Sequence, residues 1–171
     1  MNILLIGMPG SGKTKIGKLL AEKLGREFID VDEFIEEISG KDVAEHLAAL
    51  GDAEFLRFEA ELVQKIDVDA AVIAASGSVP LVPEGIEHLK KNAFAIWLKP
   101  DHSIIEKRIG DRSDGKSRIV GAQTMTLQEI WEWREKEYAK HHHAILELQK
   151  EAPVAEMTEQ VLDILKANNV L

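Results

Sequence analysis

The sequence predicts an α/β fold, a three-layer sandwich in which helices cover both faces of a five-stranded parallel sheet. Three observations lead to it. Strand-like and helix-like patterns alternate along the whole chain. Two strand segments, Ala70 to Ala75 and Phe94 to Leu98, are near-continuous apolar runs, as expected of strands buried on both faces. The first apolar run passes directly into a glycine-rich turn and then a helical pattern.

In chain order, Ile3 to Ile6 place a strand at 2–6. Ile16, Leu19, Leu20 and Leu24 recur at helical spacing over 13–24, and Gly25 stops that helix. A strand at 27–31 delivers Asp30-Val31-Asp32, and helices follow at 32–39, 42–49 and 52–66. The strand at 70–75 leads into Ser76-Gly77-Ser78, then come a helix at 83–91, a strand at 93–98 and a helix at 101–109. Residues 110–125 are polar and rich in Gly, Ser and Arg. A loop this long within a compact domain is expected to be functional, here a mobile lid over a site. A helix at 126–142, a strand at 144–148 and a helix at 154–167 complete the chain, with no low-complexity linker or internal repeat between them.

At 171 residues, one domain can bury roughly two thirds of its unfolded surface. The balance of 21 basic against 30 acidic residues leaves a net charge of −9, which argues against nucleic acid or an anionic membrane as the main partner. Without cysteine there is no disulfide framework, thiolate nucleophile or cysteine-based zinc site. Met1 leads almost at once into a strand, and no apolar stretch approaches the roughly 18 residues of a membrane span. The expectation is a soluble cytoplasmic monomer with a small-molecule partner.

The chemistry begins at Gly7-Met8-Pro9-Gly10-Ser11-Gly12-Lys13-Thr14. This is the pattern of a phosphate-binding P-loop. Its backbone N–H groups and the positive end of the following helix can cradle a triphosphate. Lys13 would reach the β- and γ-phosphates, and the Thr14 hydroxyl would hold Mg²⁺. Pro9, Gly10, Ser11, Gly12, Lys13 and Thr14 are therefore the candidate ATP contacts. A ligand-free glycine turn would show the same residues, but strand and helix both flank this one, which selects phosphate binding.

In open parallel sheets, ligands sit beyond the carboxyl ends of the strands. Asp30 and Asp32 alternate there along an extended segment, so one carboxylate could stand near Mg²⁺ and the other near an acceptor hydroxyl. A simple helix cap at Asp32 is the plainer alternative. Arg108, Arg112 and Arg118 lie at or within the expected lid, and a closing lid can bring a guanidinium onto the transferring phosphate; solvated arginines are the alternative. His141-His142-His143 falls at the end of the expected helix, where consecutive side chains diverge by about 100°, so a shared metal is not expected. Trp97, Trp131 and Trp133 are read as packing residues.

Taken together, these residues resemble the shikimate kinase family, within the P-loop nucleoside-monophosphate-kinase-like group. The resemblance runs through the P-loop, Phe28-Ile29-Asp30-Val31-Asp32, Ile35-Glu36, Gly40, Gly51 to Phe55 with Glu59, Val72 to Ser78, Leu98, Arg108, Arg118, Arg134 and Tyr138. It implies one P-loop kinase domain over 1–171, with acceptor-binding helices over 32–66 and a lid over 110–125. The implied reaction moves the ATP γ-phosphate, with Mg²⁺, to a hydroxyl of a small carboxylated ring, shikimate, in aromatic amino-acid biosynthesis. By the same resemblance Lys13, Asp32 and Arg118 are catalytic, with Asp32 orienting and deprotonating the acceptor hydroxyl. Asp30 would support Mg²⁺ through water, and Arg134 would pair with the substrate carboxylate. From their positions, Arg108 and Arg112 are candidate nucleotide contacts, and Arg57, Gly77 and Ser78 join Asp32 and Arg134 as candidate acceptor contacts.

Three positions depart from the family pattern. Leu56 follows Phe55 where the family has a carboxylate-gripping arginine, and Arg57 comes one residue later, turned by about 100° on a helix. Ser76-Gly77-Ser78 stands in place of three glycines, and Arg134-Glu135-Lys136-Glu137-Tyr138 lacks the family's Pro-Leu before the tyrosine. The alternatives are a related kinase for another hydroxy acid, a sugar acid or a nucleotide, and an ATP-binding regulatory protein without turnover.

Overall fold

The computed structural model describes residues 1–110 and 118–171. Five strands, β1 (Asn2–Ile6), β2 (Phe28–Asp30), β3 (Val72–Ala74), β4 (Ala93–Pro100) and β5 (Ala144–Leu148), form one sheet in the order β2-β3-β1-β4-β5. Every pairing is parallel. The helices are α1 (Lys13–Leu24), α2 (Val31–Ser39), α3 (Val43–Val63), α4 (Pro83–Lys90), α5 (His102–Gly110), α6 (Leu127–Tyr138) and α7 (Val154–Ala167), with a short 3₁₀ turn at Val79–Leu81. This is the α/β sandwich read from the sequence.

Successive side chains of a strand point to opposite faces, and β1 divides accordingly. Ile3 and Leu5 pack with Leu20 of α1 and Val161 and Leu165 of α7. Leu4 and Ile6 join the opposite core with Ile35, Val63, Ile86, Ile105 and Ile130 from α2 to α6. Ile3 to Ile6 are fully buried, so β1 is the axis of the domain, and the loop following it is anchored by apolar packing on both sides.

Local chemistry sets the helix ends. Gly25 closes α1 and Gly40 closes α2, both in the left-handed conformation that glycine adopts without a Cβ clash. The Asp42 carboxylate caps α3 at the Glu45 N–H, and Thr126 with Glu129 forms a capping box on α6. The expected break between helices at 42–49 and 52–66 is a kink at Gly51 (φ 74°) inside α3.

Two local expectations need correction. The extended segment ends at Asp30, so Asp30 and Asp32 do not alternate along a strand: Asp32 sits in the first turn of α2 and Asp30 is its cap. Helix α6 stops at Tyr138, so the histidine run is not its polar end. The chain must turn there to lay β5 beside β4, and His143 secures that turn, its N–H donating to the Ala95 carbonyl at 2.8 Å and its Nδ1 accepting from the Ala95 N–H at 2.9 Å. The three tryptophans pack as expected, Trp97 and Trp131 buried and Trp133 half-buried. Among the described residues, no helix is long and apolar enough to cross a membrane.

Candidate active site

Strand order reverses around β1, whose neighbours β3 and β4 lead the chain to opposite sides of the sheet. A cleft of about 860 Å³ opens at that point, bordered by the P-loop, Asp32, Glu36, Ser76-Gly77-Ser78, Arg118 and Arg134. The P-loop reaches it through positive φ angles at Gly7 (147°), Gly10 (83°) and Gly12 (99°). A Cβ at Gly7 would stand 2.5 Å from the Leu98 carbonyl oxygen, so only glycine lets the turn pass so close to β4. Lys13 is buried, and its ammonium donates to the Gly7 and Met8 carbonyls at 2.8 and 2.9 Å. Burial pushes its pKa down to about 8, with the Asp32 carboxylate pulling it back up.

Asp30 joins two elements. One carboxylate oxygen accepts from the Asp32 N–H at 3.0 Å, while the other accepts from the Thr14 hydroxyl at 2.7 Å. Among the described residues no three His, Cys, Asp or Glu side chains converge as a metal cluster. A hydroxyl backed by one carboxylate suits Mg²⁺, which keeps waters and phosphate oxygens as most of its ligands, so Thr14 and Asp30 fit the expected metal position.

The Asp32 carboxyl is raised to about 6, chiefly by burial and next by the neighbouring Asp30 charge, against the pull of Lys13 and Arg118. Its Oδ1 is buried without a hydrogen-bond partner among the described residues. A carboxylate near neutrality, close to Lys13 and facing a cleft, suits proton abstraction from a hydroxyl.

Arg134 is 1% exposed, and its Nη2 donates to the Val120 carbonyl at 3.1 Å. Its Nε and Nη1 are buried without partners among the described residues. Behind it, the Tyr138 hydroxyl donates to the Gly77 carbonyl at 2.7 Å, tying α6 to the turn after β3. A guanidinium with two unpaired buried donors is matched by a planar carboxylate. Gly77 is required for this closeness, since a Cβ there would meet Pro9 Cδ at 2.6 Å and Arg134 Nη1 at 2.8 Å.

Arg108 lies against the P-loop. Its Nη1 donates to the Gly10 carbonyl at 2.8 Å, and its Nη2 pairs with Glu151 at 2.6 Å. Arg118 also reaches the cleft, where it pairs with Glu36. Arg112 lies outside the described residues. Of the expected lid, Ile119 and Val120 are buried, and the Gly121 N–H donates to Asp52 at 3.0 Å.

Arg57 is not brought to the cleft. It sits on the solvent face of α3, its side chain 72% exposed and paired with Glu54 at 2.7 Å. Leu56 packs instead on the apolar cluster of Val43, Leu47, Phe55 and Val120. Sequence reasoning gives Glu36 and Glu59 no role beyond carrying the family resemblance, and it does not single out Glu151. Glu59 follows Phe55 by four residues and so shares its buried helix face, which is the one local signal that could have singled it out.

Comparison with known proteins agrees with this geometry. The shikimate kinase family model matches residues 9–166. A shikimate kinase of Symbiobacterium thermophilum is 44% identical over 109 residues, 63% of each chain. One from Synechococcus elongatus is 32% identical over 167 residues, 96% of this chain and 86% of its own. Among solved structures, shikimate kinase from Acinetobacter baumannii in complex with shikimate superposes with a TM-score of 0.82 at 25% identity, covering 99% of this chain and 95% of that one. The P-loop, the charged cleft at the sheet's switch point and the family match over nearly the whole length lead to one conclusion: this chain belongs to the shikimate kinase family.

Proposed function

We propose that the chain transfers the γ-phosphate of ATP to a hydroxyl of shikimate. As a member of the shikimate kinase family it is an ATP-dependent phosphotransferase. The observation that best supports the acceptor is that one cleft holds the Lys13 P-loop, the raised carboxyl of Asp32 and the Nε and Nη1 of Arg134, which have no partner among the described residues.

In this reading the P-loop amides and Lys13 hold the phosphates, and the Arg134 guanidinium takes the acceptor carboxylate. Asp32 receives the proton of the attacking hydroxyl, and Arg118 leaves Glu36 for the transferring phosphoryl group. Thr14 and, through water, Asp30 would hold Mg²⁺, which would supply positive charge against the phosphates. Most of the catalysis is positioning and charge stabilisation, so every cation must face the cleft at once.

Coupled ADP release across shikimate, gluconate and nucleosides, with wild type and Asp32→Asn, tests this. Shikimate should give acceptor-dependent turnover that falls at least ~100-fold in Asp32→Asn. Binding of ATP without turnover on any of these acceptors would refute the reading.

A further inference from the structure

The two serines that replace family glycines form a defined polar arrangement at the cleft. Ser76 and Ser78 both border it, and both are buried. Each donates its hydroxyl proton to the same atom, Oε1 of Glu59, Ser78 at 2.8 Å and Ser76 still closer. Glu59 is 1% exposed and sits behind the serines rather than on the cleft. Its remaining oxygen, Oε2, has no partner among the described residues.

A serine hydroxyl has one proton and two lone-pair positions. With both protons committed to Glu59, the two oxygens are left only as hydrogen-bond acceptors. This direction is set when Glu59 is ionised, since both carboxylate oxygens then only accept. Nearby, Arg134 is the one guanidinium of the cleft that pairs with no carboxylate among the described residues, since Arg108 pairs with Glu151 and Arg118 with Glu36. Position 56, where a second arginine would stand, is an apolar contact.

We infer that Ser76 and Ser78 are specificity-determining residues that accept hydrogen bonds from non-reacting hydroxyls of the acceptor, and that Glu59 is the positioning residue that turns them. The ligand class is a polyhydroxylated monocarboxylate, held by one guanidinium at its carboxylate and by serine oxygens at its hydroxyls. This rests on the acceptor end proposed above. It explains how the cleft recognises an acceptor with one arginine fewer than the family pattern, because recognition moves from charge to hydroxyl direction. Buried oxygens that can only accept would penalise an analogue lacking the matching O–H.

The test compares kcat/KM for shikimate and for analogues in which one non-reacting hydroxyl is replaced by hydrogen. Wild type should prefer shikimate roughly tenfold for each hydroxyl read. In Ser76→Ala and Ser78→Ala, the preference for the hydroxyl that the missing serine reads should fall to about twofold or less, the loss appearing in KM for shikimate. Glu59→Gln, which keeps an accepting oxygen, should retain the preference, and Glu59→Leu should lose it while both serines are present. Thermal unfolding identifies variants that fail to fold. A wild-type ratio near one overturns the inference without recourse to any variant, as does a ratio unchanged in the folded double alanine variant. Absence of turnover on shikimate and every analogue overturns the proposed function and this inference together, whereas turnover without discrimination overturns this inference alone.

Discussion

Replacing Glu59 by glutamine should make the protein more stable at alkaline pH. The carboxyl is fully buried, and that burial lifts its pKa from 4.5 to about 7. The hydrogen bonds from Ser76 and Ser78 and the charge of Arg134 pull it down, and the Asp32 charge adds to the rise. Between those two pKa values the native state binds the proton that the unfolded chain has already released. Stability from this group is therefore intact below pH 4.5 and is lost as pH rises toward 7. At about 1.4 kcal/mol per factor of ten in proton affinity, the loss amounts to about 3 kcal/mol above pH 7. Glutamine keeps the shape and an oxygen for both serines but carries no charge, so it escapes the loss. Urea unfolding of both proteins from pH 4 to 8 should show the difference between them moving by ~3 kcal/mol in favour of Glu59→Gln. Other titrating groups, Asp32 included, are present in both proteins and largely drop out. A difference that stays flat across that range would mean Glu59 ionises as an ordinary carboxylate, and the argument from its burial would be wrong.

Gly77→Ala should lower stability by about 1–3 kcal/mol and raise KM for the acceptor, because its Cβ overlaps Pro9 and Arg134; chemical denaturation with steady-state kinetics would show both, and a silent variant would contradict the packing. Arg57→Ala should leave KM for shikimate within about twofold and change stability by less than about 1 kcal/mol, since it removes an exposed pair; a tenfold rise in KM would place Arg57 in the acceptor site after all. Arg134→Met should cut kcat/KM for shikimate by roughly 10- to 100-fold, the value of charge-assisted hydrogen bonds to a carboxylate, and an intact kcat/KM would remove Arg134 from acceptor binding.

Much of this molecule can be read locally. The P-loop, α1 and its stop at Gly25 depend on neighbours in the chain, and so does the left-handed break at Gly51 between two helical patterns. Asp30 stands out in the sequence as a candidate metal position, but its role as the α2 cap does not, because one residue decides where the strand ends and the helix begins. The histidine run lies beyond α6 for a related reason: the turn that lays β5 beside β4 ends the helix at Tyr138, and that pairing is not a local property. Arg57 against Leu56 is a question of helix phase, and phase is set by which face α3 buries.

The sequence by itself determined the α/β class, the order of the elements and the phosphate-binding loop, because periodicity, glycine placement and capping are local properties of the chain. The tertiary structure alone decided which charges meet. Ser76 and Ser78 come from the turn after β3, Glu59 from the buried face of α3 and Arg134 from α6, and only the packed sheet brings them to one side of the cleft. There, burial turns ordinary side chains into directed ones: the Glu59 carboxyl is lifted to about 7, the serine protons point to Glu59 rather than the cleft, and Arg134 keeps two donors unpaired among the described residues. Such properties arise from exclusion of water by segments distant in sequence, and no local pattern encodes them.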